Sequence, residues 1–152
     1  MHVSIVIPAR NEELYISALL DSIKQQFRNS GLDHEVLLAD NGSTDETSAI
    51  AQDRGAIAVC CRGLTVGGAR NRAAARAKGE LLVFLDADMI LSNGWSNSLS
   101  ELIVELRECD QQIIGGSLAA PLDANWIGRA WFPDRRLSSN VARYVGSGHM
   151  IV

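Results

Sequence analysis

The chain has 152 residues, 47% of them hydrophobic and 21% charged, a globular balance that excludes a disordered tail, a collagen-like repeat and a disulfide-stapled miniprotein. Fourteen Lys plus Arg against eighteen Asp plus Glu leave a net charge of −4, which argues against a general nucleic-acid binder because phosphate backbones select basic surfaces. Cys60, Cys61 and Cys109 make neither an even set nor a CxxC pair, so they outline neither a disulfide framework nor a zinc cluster, and a reducing, cytoplasmic setting fits.

Residues 3–7 (VSIVI) form a short β-branched apolar run closed by Pro8, which predicts a strand buried on both faces. The run is too short for a signal h-region or a membrane span. Asn11 stands where it can cap a helix with Glu12 and Glu13 in its first turn; Ile16, Leu19, Leu20, Ile23 and Phe27 then share one stripe. Residues 35–39 (EVLLA) predict a second strand, and Ser43 with Glu46 has capping-box spacing for a second helix that Gly55 would end. Asp45 and Glu46 read as ordinary helix-capping acids.

A third strand is expected over residues 56–60. Gly67 and Gly68 then open an alanine-rich helix over 69–78 that Gly79 closes as a C-cap, and residues 81–85 (LLVFL) make the most apolar strand. Further on, residues 95–109 read as helix, 113–119 as strand, 124–136 as irregular or helical, and 143–152 as strand. Strands alternating with helices at this spacing predict an α/β domain, a mostly parallel sheet flanked by helices, with ligands bound beyond the strands' carboxyl ends. The sequence closes on Met150, Ile151 and Val152, mid-way through an apolar strand, so the natural gene is expected to continue.

The polar groups lie at the predicted strand ends: Asn11 and Glu12 after the first, Asp40 and Asn41 after the second, Asp86 and Asp88 after the fourth. Two carboxylates one residue apart, directly after five apolar residues, crowd negative charge where solvent is scarce, and a divalent cation is the simplest compensation. Oxygen ligands suit Mg²⁺ or Mn²⁺, ions usually held by one or two carboxylates plus substrate phosphates. Between residues 54 and 79 there are six basic residues, Arg54, Arg62, Arg70, Arg72, Arg76 and Lys78, and no acid. Arg72 and Arg76 fit a solvated helix face, with alanines 69, 73, 74 and 77 packing on the sheet. Arg70 falls in the first turn after Gly67-Gly68, where free N–H groups already favour an anion. A metal on Asp88 facing that turn describes a diphosphate pocket.

The series VSIVIPARNEE, LLADNGSTDET and GGARNRAAARAKGELLVFLDAD resembles the nucleotide-sugar-binding half of the inverting family 2 glycosyltransferases, which have a GT-A, Rossmann-like fold. The resemblance implies one domain over 1–152, with 1–88 binding the nucleotide sugar and 89–152 giving part of the acceptor region. It implies that Pro8, Ala9, Asn11 and Glu12 line the nucleotide pocket, that Asp40 with Asn41 contacts the base, and that Arg70 and Asn71 match the positions before the alanine-rich helix. Asn41 departs from the family's acidic pair, which leaves uracil and guanine both open. Asp86 would lie near the ribose and Asp88 on the metal.

VGSGHMIV from Val145 is similar to the glycine-rich strand that closes over the donor sugar, and His149 is a further candidate metal ligand. The general base is expected beyond Val152. Trp95, Trp126, Trp131 and Tyr144 could stack on a sugar or lipid acceptor, although such aromatics are more often core or rim residues. The implied activity is metal-dependent transfer from a UDP- or GDP-linked sugar to a sugar, lipid or protein acceptor, with peripheral attachment to the inner face of a membrane compatible. Two rivals stand beside it: a nucleotidyltransferase, whose glycine-rich basic loop after the first strand is missing from IPARNEE, and a donor-binding fragment without turnover. A phosphatase built on an N-terminal DxD fits least, since this DxD follows the fourth strand.

Overall fold

The computed structural model describes residues 1–106, 114–115 and 149–151, with side chains through residue 104. In chain order the elements are β1 (His2–Ala9), α1 (Ile16–Phe27), β2 (Asp33–Asp40), α2 (Thr47–Asp53), β3 (Ile57–Cys60), α3 (Val66–Ala74), β4 (Leu81–Leu85), α4 (Trp95–Leu106), β5 (Ile114–Gly115) and β6 (His149–Ile151). The four strands expected in the first 85 residues are all present, and β5 and β6 fall within the two later expectations. Cys109, Trp126, Trp131, Tyr144 and the 124–136 segment lie outside the described residues.

β1 is mostly apolar because it is covered on both sides and both faces, and its one fully buried polar residue, Ser4, is hydrogen-bonded. It pairs in parallel with β2 and with β4, and β2 pairs in parallel with β3. β6 runs antiparallel to β4, and β5 antiparallel to β6, giving the order β3-β2-β1-β4-β6-β5. Strand side chains alternate between faces: Val3, Ile5 and Ile7 join a core with Ile16, Leu19, Leu20, Ile23 and Phe27 of α1 and Leu99 and Ile103 of α4. Val6 faces the other way, into a smaller core with Leu37, Val59, Phe84 and Ala69 and Ala73 of α3. The small alanine side chains let α3 sit close on the sheet. The chain builds outward from β1 to β3 and then returns to the far side of β1, so the connections diverge between β1 and β4, where an open α/β sheet leaves a crevice at its carboxyl edge.

Several local expectations are corrected. Asn11 does not cap α1: that helix starts at Ile16, and its N-cap Tyr15 makes no side-chain cap bond. Asn11 instead has φ 58, a left-handed conformation incompatible with the extended N-cap geometry. Ser43 and Glu46 do not form a capping box. The Ser43 hydroxyl donates to Asp40 Oδ1 (2.6 Å), and Glu46, at the N-cap of α2, makes no side-chain bond there. Asp45 does the capping work, its Oδ1 accepting from Thr47 N at 3.1 Å. Gly67 and Gly68 lie inside the first turn of α3, whose cap is Thr65, with Oγ1 accepting from Gly68 N.

α3 ends at Ala74, well short of Gly79, and Gly79 has a different task from the expected C-cap. A Cβ there would stand 2.6 Å from Ser4 N and 2.8 Å from His2 O, so a bare backbone is required for the chain to enter β4 against β1. The same corner holds a polar network. Ser4 Oγ and Lys78 N each donate to Glu35 Oε1 at 2.6 Å, and Gly79 N donates to Ser4 Oγ at 2.8 Å. Burial pushes the Glu35 carboxyl up, but the Ser4 and Lys78 hydrogen bonds and the charge of His2 outweigh it and hold the group below the usual glutamate range.

Two outcomes follow. Gly79→Ala is expected to lower stability by about 1–3 kcal/mol through overpacking against immovable backbone, read as a drop in the denaturation midpoint. Glu35→Ala should cost about 1–3 kcal/mol at neutral pH by stranding its donors. Because the folded-state pKa is lowered, that deficit is full above the ordinary glutamate value and shrinks as pH falls through the folded-state value, which a pH series of denaturation curves measures.

Candidate functional site

At the β1/β4 crevice lies a cavity of about 420 Å³ lined by Pro8, Ala9, Arg10 and Glu12 after β1, Asn41 after β2, Val66 and Ala69 of α3, and Asp86, Ala87 and Asp88 after β4. Its walls are set by two loops bonded to each other. Asn11 N donates to Ser43 Oγ (3.1 Å), Glu12 N to Thr47 Oγ1 (2.8 Å) and Glu13 N to Asp45 Oδ2 (3.2 Å). In return Thr44 N donates to Asn11 Oδ1 (2.9 Å) and Glu46 N to Glu13 Oε2 (3.1 Å). The left-handed turn at Asn11 aims its side chain into the neighbouring loop and leaves Arg10 and Glu12 on the cavity.

The electrostatics are dominated by carboxylates. Arg70, from α3, donates through Nη2 to Asp86 Oδ1 at 2.6 Å, and its side chain is only 12% exposed. Burial pushes the Asp86 carboxyl up, the Arg70 charge and hydrogen bond offset part of that, and the nearby charge of Asp88 adds to it. Burial likewise raises Glu12, reinforced by the negative charges of Asp88, Asp45 and Asp86. Asp88 is exposed at the cavity rim. The site therefore gathers three acids around a space that can take a ligand, one of them already neutralised from behind by Arg70.

Of the residues singled out from the sequence, Pro8, Ala9, Glu12, Asn41, Asp86 and Asp88 line the cavity. Asn11 and Asp40 are placed as loop braces, Asp40 Oδ1 accepting from Ser43 N (2.9 Å). Arg70 stands behind Asp86, and Asn71 is exposed on α3. His149 pairs in register with Leu85, one residue before Asp86, so its backbone stands at this same edge. Arg10, Val66, Ala69 and Ala87 also line the cavity and were not foreseen as site residues. Counting outward from the strand ends would have found Arg10 and Ala87, which adjoin flagged positions.

Among the described residues no group of three His, Cys, Asp or Glu side chains is close enough to hold a metal ion alone. Acidic oxygens beside an open cavity fit an ion such as Mg²⁺ or Mn²⁺ whose remaining positions are filled by a ligand's oxygens and water. Also among the described residues, no helix is long and apolar enough to cross a membrane.

A mostly parallel, doubly wound sheet with acids after its fourth strand at the switch point defines a GT-A-type α/β domain. The profile described as Glycosyl transferase family 2 matches residues 4–144, and the chain belongs to that family. Glucosyl-3-phosphoglycerate synthase of Mycobacterium tuberculosis is 35% identical over 96 residues, covering 58% of this chain and 29% of that protein, so the chain spans less than half the length of this curated relative. The crystal structure of that synthase with Mn²⁺, UDP and glucosyl-3-phosphoglycerate is 32% identical, with a TM-score of 0.56 over 74% of this chain and 42% of the other. S. aureus TarS in complex with UDP-GlcNAc shares the fold, with a TM-score of 0.64 at 24% identity over 82% of this chain and 36% of the other.

The loop geometry carries its own test. Asn11→Ala is expected to cost about 1–2 kcal/mol, because it loses the bond from Thr44 N and keeps a left-handed backbone that alanine disfavours. Asn11→Gly, free of the conformational cost, should fall between it and the parent. Equal denaturation midpoints for the two variants would show that the turn is unstrained.

Proposed function

We propose that residues 1–88 bind a nucleoside diphosphate sugar, UDP-linked, together with Mg²⁺ or Mn²⁺ at the β1/β4 crevice, that residues 89–152 contribute to the acceptor side, and that the whole enzyme transfers the sugar with inversion. The observation that carries this reading is the convergence of Asp86, Asp88 and Glu12 on one cavity at the switch point. Such a cluster would repel a diphosphate unless a cation bridges the two. The UDP and Mn²⁺ held by the mycobacterial synthase support the same pairing here.

In this reading Asp88 holds the ion, with Asp86 beside it and His149, at the register of Leu85, as a further ligand. A bound Mg²⁺ or Mn²⁺ supplies charge neutralisation for the departing diphosphate. Arg70 fixes the orientation of Asp86 through their 2.6 Å bond, which places that carboxylate for the ribose. Pro8 and Ala9 give an apolar wall for the base, Asp40 and Asn41 close its polar edge, and Asn11 holds the wall in place. Glu12 faces the ribose and diphosphate, and Asn71 extends the polar rim on α3. Deprotonation of the acceptor hydroxyl, a sugar, lipid or protein group, is assigned to none of the described residues. A nucleotidyltransferase is disfavoured because the segment joining β1 to α1, residues 10–15, contains no glycine to wrap a triphosphate.

Calorimetry with UDP tests the reading. Binding is expected with Mn²⁺ or Mg²⁺ and is expected to weaken at least about tenfold in EDTA or in Asp88→Ala, while the melting temperature of the metal-free variant stays level or rises as repulsion with Asp86 is relieved. Equal UDP affinity with and without EDTA would remove the metal bridge, and an unfolded Asp88→Ala would make that aspartate structural.

A further inference from the structure

Asn41 occupies a junction that its place beside the cavity does not require. Its main-chain N–H donates to Ala9 O at 2.9 Å, continuing the β1–β2 ladder past the strand ends. Its side-chain amide reaches the other way, Nδ2 donating to Leu64 O at 2.8 Å. Leu64 is the last residue before the cap of α3. Next to it, Thr65 Oγ1 accepts from Gly68 N at 3.1 Å, and Thr65 O accepts from Ala69 N at 2.8 Å. From that start α3 delivers Val66 and Ala69 to the cavity wall and Arg70 to Asp86. One amide thus joins the base end of the crevice to the helix that steadies the carboxylate at its other end.

We propose that Asn41 is a positioning residue that clamps the start of α3, so that the site is set for the diphosphate as well as for the base. The inference rests on the nucleotide-binding reading given above. A carboxylate has only acceptors to offer, and at 2.8 Å from the Leu64 carbonyl it would meet another acceptor. Asparagine supplies the donor. With Nδ2 committed to Leu64, its Oδ1 remains as an acceptor for a base N–H, the one function a carboxylate would share. The two roles make opposite demands on the residue, so they separate under substitution.

Asn41→Asp keeps the acceptor and loses the clamp, and Asn41→Ala loses both. Hydrogen exchange over residues 64–70 without ligand, with global stability followed by thermal melting, reads the clamp directly. Calorimetry with UDP and with inorganic pyrophosphate, each with Mn²⁺, reads its consequence. Both variants are expected to exchange faster over 64–70 than any fall in melting temperature accounts for; Asn41→Asp is expected to bind UDP and pyrophosphate roughly three- to tenfold more weakly, the range set by one net hydrogen bond, and Asn41→Ala to lose as much for pyrophosphate and more for UDP, for which it also lacks the acceptor. UDP affinity in Asn41→Asp equal to the parent's would overturn the proposal in favour of a simple acceptor. So would weakened UDP binding with unchanged pyrophosphate binding, which marks a base contact alone, and so would unchanged exchange at 64–70. If the parent binds neither ligand, the nucleotide reading fails by itself, and the exchange result still decides the clamp.

Discussion

The rest of the molecule depends on burying β1 between two parallel neighbours with helices on both faces. A strand in that position can satisfy its backbone only by pairing on both sides, and its side chains only by being apolar or hydrogen-bonded within the fold; Val3, Ile5, Val6 and Ile7 are accordingly apolar and fully buried, and the equally buried Ser4 is bonded to Glu35. Parallel pairing in turn requires every connection to cross over the sheet. Because the chain winds to β3 and then comes back to the other side of β1, the loops after β1 and β4 separate, and the crevice between them is a consequence of the winding rather than of any one residue. The close approach of Gly79 to Ser4 and His2 is what lets β4 enter that arrangement.

The chemistry at the crevice follows from placing acids where apolar strands end. Asp86 and Asp88 follow on the five apolar residues of β4, and Glu12 faces them from the β1 loop, so burial together with neighbouring negative charge raises the cost of charging Glu12 and Asp86. Arg70 relieves Asp86 from the α3 side and leaves the cavity side to be compensated by whatever binds. The walls that hold these groups are polar loops bonded to each other, and a site held by such direct bonds needs little reordering on binding.

The sheet was legible because parallel strands buried on both faces read as unbroken apolar runs. β4 is found at its expected bounds, residues 81–85, and β1 and β2 extend by one to two residues at each end because ladder pairing continues where apolar character stops. The starts of α1, α2 and α3 were not legible, whereas α4 begins at Trp95 as expected. Asn11 and Ser43 carry side chains that suit caps, but Asn11 bonds to the loop lying opposite, more than thirty residues away in sequence, and Ser43 donates to Asp40 in its own loop while accepting from Asn11 N across the gap. Gly79 misled for the same reason, its lack of a Cβ serving a contact with β1 rather than a turn. Of the site residues, the polar ones flagged after the strand ends, Glu12, Asn41, Asp86 and Asp88, were found together with Pro8 and Ala9, whereas Arg10 and Ala87 beside them were passed over, and Val66 and Ala69 enter through the packing of α3, which no local pattern reports. The bond between Asn41 and Leu64 likewise joins two segments that only the fold brings together.

The central claim, that the carboxyl edge of β1 and β4 holds a diphosphate through a divalent ion at Asp88, is tested most directly by paramagnetic broadening of backbone amide resonances when Mn²⁺ is added in the presence of UDP. The account predicts loss of signal centred on Asp86–Asp88 and extending to Ala9–Glu12 and Ala69, with the amides of the Glu35 network at the opposite edge of the sheet unaffected. Broadening centred on that opposite edge, or none at the ends of β1 and β4, would contradict it.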